Sequence, residues 1–200
     1  TDSTIKSNER MIAIIKYNAG NITSVRNAVE RLGYDCRVTD DISVIQSAEK
    51  VIFPGVGEAG SAMIYLKNKR LDEIIQSLVR PTLGMCLGLQ LMCRHSEEGD
   101  TKCLGIFDTE VKKFPALDIV PHMGWNNMAV EGSPLFTGFG REDTVYFVHS
   151  YYAEICPETI SRCDYILPFS AAMVTKGSVS SASSIRSKRA SSSSAIACSV

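Results

Sequence analysis

The sequence predicts an α/β fold in which helices flank a mostly parallel central sheet that continues into an antiparallel extension. From Met11 to Arg94, short apolar runs alternate with helical patterns, which is typical of a parallel sheet covered on both faces. After Cys103, strand-like runs follow one another without a long helix between them, which indicates antiparallel pairing. A chain of 200 residues is long enough for one domain with its own core.

In the first half of the chain, each strand-like run is followed by a helical pattern. Residues 11–16 form a short apolar run, and Asn21 is placed to cap a helix over residues 22–32 that Gly33 ends. By the same reasoning we predict strands over residues 34–39, 51–53 and 82–85, and helices over residues 42–48, 59–67, 71–78 and 87–94.

The second half has strand patterns over residues 106–114, 145–148 and 171–175, and residues 121–126 are predicted as a loop. From Ser178 onward the chain is mostly serine and alanine without periodicity, a composition typical of disorder. We therefore predict a disordered or non-native extension over residues 1–10, a domain over 11–176 and a Ser-rich disordered tail over 177–200. Met11 is the expected natural start.

Composition and charge argue against several classes of function. The net charge of −1 does not favour a nucleic-acid or anionic-membrane partner, and no apolar run approaches the length of a membrane span. Seven cysteines without Cys-x-x-Cys spacing predict free thiols in a reducing cytoplasm and no metal site.

Cys86 lies in Gly84-Met85-Cys86-Leu87-Gly88, between a predicted strand and a predicted helix. A nucleophile elbow requires this pattern, because the strand turns sharply into the helix with the nucleophile at a strained apex. The helix N-terminus then directs backbone N–H groups at the thiol, which favours thiolate and can hold an oxyanion. The alternative is a buried structural cysteine near a tight turn.

A cysteine nucleophile also needs a base, and the chain has three histidines. His95 follows Cys86 by nine residues, about 13 Å along a continuous helix, which is too far for pairing. His122 is predicted in a loop, and His149 ends a predicted strand. A structural role is the default interpretation for each, and His149 is the best-placed candidate base.

Two further segments allow alternative interpretations. Gly55-Val56-Gly57-Glu58-Ala59-Gly60 matches a dinucleotide fingerprint, but it follows the third strand, without an acidic residue at the required distance. A loop whose backbone N–H faces the Cys86 site fits better, and a plain strand-to-helix turn remains open. Gln90 shares a helix face with Cys86, where it would either recognise an amide-bearing ligand or be a solvated surface residue.

These motifs resemble a known family. Gly84-Met85-Cys86-Leu87-Gly88-Leu89-Gln90 resembles the nucleophile motif of class I glutamine amidotransferases. Within that family, four segments resemble the glutaminase subunit of imidazole glycerol phosphate synthase, and the resemblance covers roughly Met11 to Val174. The segments are Tyr17-Asn18-Ala19-Gly20-Asn21, Pro54-Gly55-Val56-Gly57, Pro121-His122-Met123-Gly124-Trp125-Asn126 and Tyr146-Phe147-Val148-His149-Ser150-Tyr151-Tyr152.

The resemblance implies a glutaminase with a Cys–His–Glu triad in which Cys86 is the nucleophile and His149 is not the triad histidine. It implies that ammonia from glutamine passes to a barrel-shaped synthase subunit, in a cytoplasmic heterodimer of histidine biosynthesis. It implies no cofactor, no metal, and no nucleic-acid or membrane partner. The Gly57 loop and the Leu87 N–H resemble the oxyanion hole, and the implied glutamine-binding positions are Gln90, Ser150 and Tyr151.

The C-terminal tail departs from the family pattern. The family's triad histidine and glutamate lie in a Phe-His-Pro-Glu segment, followed by a last helix, whereas this chain has no histidine after His149 and no glutamate after Glu158. Codons compatible with residues 183–190 read Gln-Phe-His-Pro-Glu-Gln-Ala-Gly after a one-base shift. We therefore hypothesise a frameshift before about Gly177, so that the terminal strand and helix are missing and the chain as written is inactive.

Two alternatives to a glutaminase remain open from the sequence. The first is a non-catalytic subunit that keeps the surface for its partner without hydrolysing glutamine. The second is another cysteine hydrolase on the same scaffold that uses His149 as its base. A tail confirmed as in-frame would favour the first, and a His149 ring within hydrogen-bond reach of the Cys86 sulfur would favour the second.

Overall fold

The computed structural model describes residues 11–17, 22–175 and 195–198. These residues form five α-helices and fourteen strands, and the strands are arranged in three sheets. The helices are α1 Ile22–Arg31, α2 Ile42–Ser47, α3 Ala59–Asn68, α4 Leu71–Ser77 and α5 Leu87–Met92. The strands are β1 Ile12–Ile15, β2 Cys36–Thr39, β3 Lys50–Phe53, β4 Thr82–Met85, β5 His95–Ser96, β6 Thr101–Lys102, β7 Glu110–Lys113, β8 His122–Asn127, β9 Ala129–Val130, β10 Thr144–His149, β11 Tyr151–Ala153, β12 Thr159–Asp164, β13 Pro168–Val174 and β14 Ala195–Cys198.

The central sheet follows the predicted plan. Within the described residues its strand order is β2-β1-β3-β4-β14-β13-β12-β9. The strands from β2 to β14 pair in parallel, and those from β14 to β9 pair antiparallel. This confirms the predicted α/β class with its antiparallel extension.

Strands β1 and β3 of the parallel half are largely buried on both faces. Ala13, Ile14 and Ile15 are fully buried, as is Phe53 at the end of β3. Side chains alternate between the two faces of a strand, so Ile14 packs on one side with Val29 of α1, while Ile15 packs on the other with the helices after β3. The carboxyl ends of β3 and β4 therefore open side by side at one edge of the sheet, where parallel sheets commonly place sites.

The second half contains more strands than the sequence predicted. Residues 121–126 were expected to be a loop, but β8 runs from His122 to Asn127 and pairs antiparallel with β10. The two form a separate ribbon, which we call the β8–β10 ribbon. Residue propensities do not predict this strand, because β8 contains several polar residues and Gly124, which has φ of 151°. Strand formation depends largely on packing against neighbouring strands, which the local sequence does not show.

The terminal strand contradicts a second prediction made from the sequence. The sequence predicted that no strand follows residue 177, yet Ala195–Cys198 pairs in parallel with β4 and antiparallel with β13. A strand between β4 and β13 forms hydrogen bonds with backbone N–H and C=O groups of both, and these groups would lack partners in the sheet if no strand lay there. The expected disorder over the rest of the 177–200 tail, like the 1–10 extension, lies outside the described residues.

Two further features concern the class of protein. Among the helices that the structure describes, none combines the length and hydrophobicity required to cross a bilayer. Six of the seven cysteines are free thiols in the structure, namely Cys36, Cys86, Cys93, Cys103, Cys156 and Cys163.

Candidate active site

Cys86 stands at a strained turn between β4 and α5. Its φ of 53° and ψ of −116° lie outside the regions that L-residues normally occupy, at a cost of about 1–3 kcal/mol. The residue occupies the N-cap position of α5, and its carbonyl accepts from the N–H groups of Leu89 and Gln90 at 3.0 and 3.2 Å. The predicted elbow geometry is confirmed.

The flanking glycines are required by close approach rather than by unusual dihedrals. A Cβ at Gly88 would lie 2.0 Å from the carbonyl oxygen of Phe53, and one at Gly84 would lie 2.5 Å from the Met92 sulfur. The turn therefore packs directly against the end of β3, and this contact holds the Cys86 apex at the edge of the sheet.

A cavity of about 490 Å³ lies next to the elbow. It brings together all of the site positions that the sequence predicted, from three separated parts of the chain. These are Gly57, Cys86, Leu87, Gln90, Ser150 and Tyr151, and the remaining lining residues are Val56, Glu98, Pro121, Val148 and His149. The roles of these residues in binding or catalysis stay predictions.

The loop after β3 contacts the elbow through its backbone. The carbonyl oxygen of Gly55 accepts from the Leu87 N–H at 3.4 Å, and the hydroxyl of Tyr17 donates to the Pro54 carbonyl. Gly57 has φ of 110°, a conformation that favours glycine. In this structure the amide predicted for an oxyanion hole is therefore engaged by Gly55, and the loop must shift before that amide can meet a substrate oxygen.

Gln90 forms part of the cavity wall. It is 6% exposed, and its Nε2 donates to the Tyr151 carbonyl at 3.0 Å. The alternative of a solvated surface glutamine is therefore wrong. Its amide joins α5 to β11, two elements that the sequence alone did not place next to each other.

The electrostatic surroundings of Cys86 favour the neutral thiol. Burial raises its pKa above the usual value, the neighbouring backbone N–H of Leu87 lowers it, and the negative charge of Glu98 raises the pKa further. Among the described residues that line the cavity, none is a lysine or arginine. This part of the chain therefore lacks the cationic partner that a reactive thiolate requires.

His149 lines the cavity, but both of its ring nitrogens have other partners. Nδ1 lies 2.8 Å from the Tyr151 carbonyl oxygen, and Nε2 lies 3.2 Å from Nδ1 of His122. Burial lowers the pKa of His149 to about 4, the charge of His122 contributes in the same direction, and the bond to Tyr151 opposes them. This arrangement argues against a hydrolase that uses His149 as its base.

His95 does not belong to the helix that follows the elbow. Helix α5 ends at Met92, two residues before the predicted end. His95 belongs to β5, and its Nε2 lies 2.9 Å from a carboxylate oxygen of Asp100. The predicted helix around His95 is therefore wrong, and the His95 ring is paired with Asp100 rather than with Cys86.

Glu98 is a cavity residue that sequence reasoning missed. The β5–β6 hairpin places it beside the elbow, where its Oε2 accepts from the Ala59 N–H at 2.8 Å. Burial raises its pKa, the Ala59 N–H lowers it, and nearby Glu58 raises it. Its sequence neighbours Glu97, Gly99 and Asp100 are typical of a solvated turn, so no local signal identified it. No group of three or more potential metal ligands occurs among the described residues.

The buried histidine should make stability depend on pH. A depressed pKa in the folded state means that the unfolded chain binds the proton first as pH falls, so stability is lost on acidification. We expect the free energy of unfolding to fall by about 2 kcal/mol between pH 7.5 and 5 through His149 alone, measured by urea denaturation. His149→Asn should remove most of this loss, and His95→Asn should leave it unchanged. Equal pH dependence in both variants would contradict the prediction.

Comparisons with known proteins agree with this geometry. The family model described as glutamine amidotransferase class-I matches residues 13–177. The imidazole glycerol phosphate synthase subunit HisH of Bacteroides thetaiotaomicron is 56% identical over 165 residues, which cover 81% of this chain and 84% of that protein. HisH of Pasteurella multocida is 46% identical over 162 residues, which cover 80% of this chain and 82% of that protein.

Solved structures share the fold at much lower identity. A crystal structure of a glutamine amidotransferase superimposes with a TM-score of 0.63 at 14% identity, and the match covers 93% of this chain and 87% of that one. The family model reaches from β1 to the end of β13 and includes the Cys86 elbow and its cavity. The chain belongs to the class-I glutamine amidotransferase family.

Proposed function

We propose that this chain is the glutaminase subunit of imidazole glycerol phosphate synthase. It would hydrolyse glutamine to glutamate and ammonia in the cytoplasm, and the ammonia would pass to a synthase subunit in histidine biosynthesis. The observation that carries the proposal is the strained Cys86 elbow, which opens into a cavity lined by every predicted substrate position. The named relatives support the identity of the complex.

The chemistry follows from the position of the thiol. The Cys86 sulfur attacks the side-chain amide carbon of glutamine, and the C–N bond breaks as ammonia leaves with the proton taken from the thiol. Water then cleaves the thioester, which releases glutamate and restores the thiol. The Leu87 N–H would stabilise the oxyanion once the Gly55–Gly57 loop shifts. A base must carry the proton in both steps, and His149, the histidine among the described cavity residues, has both ring nitrogens paired with other groups.

We assign glutamine recognition to the polar residues that line the cavity around Cys86. Glu98 offers a partly buried carboxylate to the α-ammonium group, while Gln90, Ser150 and Tyr151 are the predicted polar contacts around the rest of the substrate. A hydrogen bond between opposite charges contributes about 1.5–3 kcal/mol. The negative charge that raises the pKa of Cys86 would therefore serve in substrate binding.

Glu98→Gln should weaken the binding of L-glutamine about tenfold or more, because it removes that charge while keeping the side-chain shape. Isothermal titration calorimetry of the full chain measures this, since binding does not require turnover. Glu142→Gln, at an exposed position before β10, is the matched control and should bind as the unmodified chain does. Unchanged affinity in Glu98→Gln would refute the assigned role of Glu98, and no binding by the unmodified chain would count against the proposed function.

A non-catalytic partner-binding subunit remains a second candidate. The observation that favours it is the raised pKa of Cys86 in a cavity without a cationic side chain among the described residues. Resequencing the DNA around the Lys176 codon separates the two candidates. An uninterrupted reading frame favours the binding subunit, and a corrected frame that encodes the histidine and glutamate favours the glutaminase.

The β8–β10 ribbon is the surface we assign to the barrel-shaped synthase partner. One face of it is apolar and exposed, with Trp125 at 70% and Met123 at 61%. The cross-strand neighbours are Tyr146 opposite Trp125 and Val148 opposite Met123, and the Trp125 and Tyr146 rings meet edge to face at 5.4 Å. Val148 also lines the Cys86 cavity, so a partner on this face would sit at the cavity rim.

Trp125→Ala should weaken binding of the synthase subunit about 30-fold, because buried tryptophans at interfaces commonly contribute 2 kcal/mol or more. Surface plasmon resonance with the synthase subunit of the same organism measures the loss. Leu32→Ala, an exposed apolar residue on α1's C-terminal turn, is the control and should have no effect. Similar affinities for the two variants would show that the partner binds elsewhere.

A further inference from the structure

The β8–β10 ribbon and the Cys86 cavity are joined by a continuous set of hydrogen bonds. His122 on β8 and His149 on β10 are opposite residues in the strand register, with His122 Nδ1 and His149 Nε2 3.2 Å apart. His149 Nδ1 reaches the Tyr151 carbonyl oxygen at 2.8 Å, and that same oxygen accepts from Gln90 Nε2 at 3.0 Å. The set therefore runs from the ribbon to the wall formed by α5.

The chemistry of these atoms determines where the ring protons are. A carbonyl oxygen can only accept, so Nδ1 of His149 carries a hydrogen. In the neutral ring Nε2 is then an acceptor. The hydrogen between the two rings must come from Nδ1 of His122, so both histidines are Nδ1–H tautomers.

The surroundings keep the pair neutral. The His122 ring is stacked between Phe147 at 5.0 Å and Tyr165 at 4.0 Å, and Phe114 and Phe169 contact both histidine rings edge-on. Burial lowers the pKa of both histidines. The titratable groups around the pair are the phenol of Tyr165, which stacks on His122, that of Tyr152, which packs against Phe114, and Cys86 and Glu98, which line the same cavity as His149.

We propose that His122 and His149 are positioning residues, a pair locked in one tautomer that holds the Tyr151 carbonyl toward Gln90. Within the described residues, the Tyr151 carbonyl oxygen accepts from both His149 and Gln90, so its orientation depends on the His149 ring. His149 is in turn held by the hydrogen from His122. A displacement of the ribbon, whose outer face is exposed, would therefore reach Gln90 without passing through the main sheet. The inference rests on the proposed function only for the identity of the ligand in the cavity, and the positioning role of the two histidines is independent of it.

The first measurement uses the full chain without substitution. Long-range ¹H–¹⁵N NMR correlation of ¹⁵N-histidine-labelled protein at pH 7.5 reports the tautomer of each ring, independently of any activity. We expect Nδ1–H for both His122 and His149. An Nε2–H tautomer at either ring would overturn the proposal, whatever the outcome of glutamine-binding experiments.

The second measurement compares two closely matched variants. The Asn amide nitrogen occupies about the position of histidine Nδ1, so His122→Asn keeps the donor to His149, whereas His122→Gln moves it away by one methylene. We expect exchange of the Gln90 side-chain amide protons with water to be at least tenfold faster in His122→Gln and within twofold of the unmodified chain in His122→Asn. Equal exchange rates in the two variants, with both folded as judged by near-UV circular dichroism, would overturn the proposal. If His122→Gln does not fold, the tautomer measurement decides alone.

Discussion

Restoring the reading frame should produce a glutamine-dependent enzyme from a chain that is otherwise inactive. With the frame corrected, a histidine and a glutamate lie near the positions now held by Ile185 and Ser187. The histidine would activate Cys86, and the glutamate would orient that histidine. We expect the corrected protein, with its synthase partner, to release ammonia at least about 10³-fold faster than the chain as written, because the loss of a triad member usually costs that much or more.

The structure explains why a residue on the last strand can reach the nucleophile. Strand β14 lies beside β4 in parallel register, and Cys198 is opposite Met85, so a strand in this position ends next to Cys86. A corrected segment that takes this position would bring its histidine to the cavity. That histidine would supply the cation that the described cavity residues lack, and its positive charge would lower the pKa of Cys86.

Ammonia release is measured with a coupled glutamate dehydrogenase assay on two proteins mixed with the synthase subunit. These are the chain as written and the corrected chain, and each is compared with its own Cys86→Ala variant, which should be inactive. Glutaminase activity of the chain as written that disappears with Cys86→Ala would refute the predicted inactivity. A corrected chain that folds and binds its partner but leaves glutamine intact would refute the frameshift hypothesis.

The second large effect is expected at Gly88. An added Cβ would lie 2.0 Å from the Phe53 carbonyl oxygen and 3.0 Å from the Phe53 carbonyl carbon. Both are backbone atoms of a fully buried strand end, so neither can move aside without shifting β3 or α5. We expect Gly88→Ala to lower the free energy of unfolding by about 3 kcal/mol or more, the upper range of overpacking effects.

Urea denaturation followed by circular dichroism measures this loss. Gly140→Ala is the matched control, because a Cβ there would meet a single atom, Asp143 Oδ2, at an ordinary 3.6 Å. We expect it to change stability by less than about 0.5 kcal/mol. If Gly88→Ala is as stable as Gly140→Ala, the close packing of the elbow against β3 is wrong.

Local sequence patterns were sufficient for the parallel half of the fold. Apolar runs and helical periodicity placed β1 to β4 and α1 to α5 within a few residues of their observed bounds. The Gly84-Met85-Cys86-Leu87-Gly88 pattern predicted the elbow because only a narrow set of residues tolerates that turn. These features depend on contacts close in sequence, which is why periodicity and glycine placement report them.

The ribbon, the last strand and Glu98 depended on tertiary structure. Half of the residues of strand β8 are polar and one is glycine, so its strand character comes from pairing with β10, a segment distant in the chain. Glu98 enters the cavity because a short hairpin packs beside α3, and no local pattern distinguishes it from a solvated turn residue.

The sequence by itself determined the α/β class, the Cys86 elbow and the set of positions around it, since each of these leaves a short-range pattern of residue types. Only the tertiary structure decided that Gln90 is a wall residue rather than a surface one, that His149 is paired with His122 instead of Cys86, and that a strand occupies the position beside β4. The physical reason is that hydrogen-bond partners and burial arise from segments far apart in the chain, and residue spacing carries no record of which segments meet.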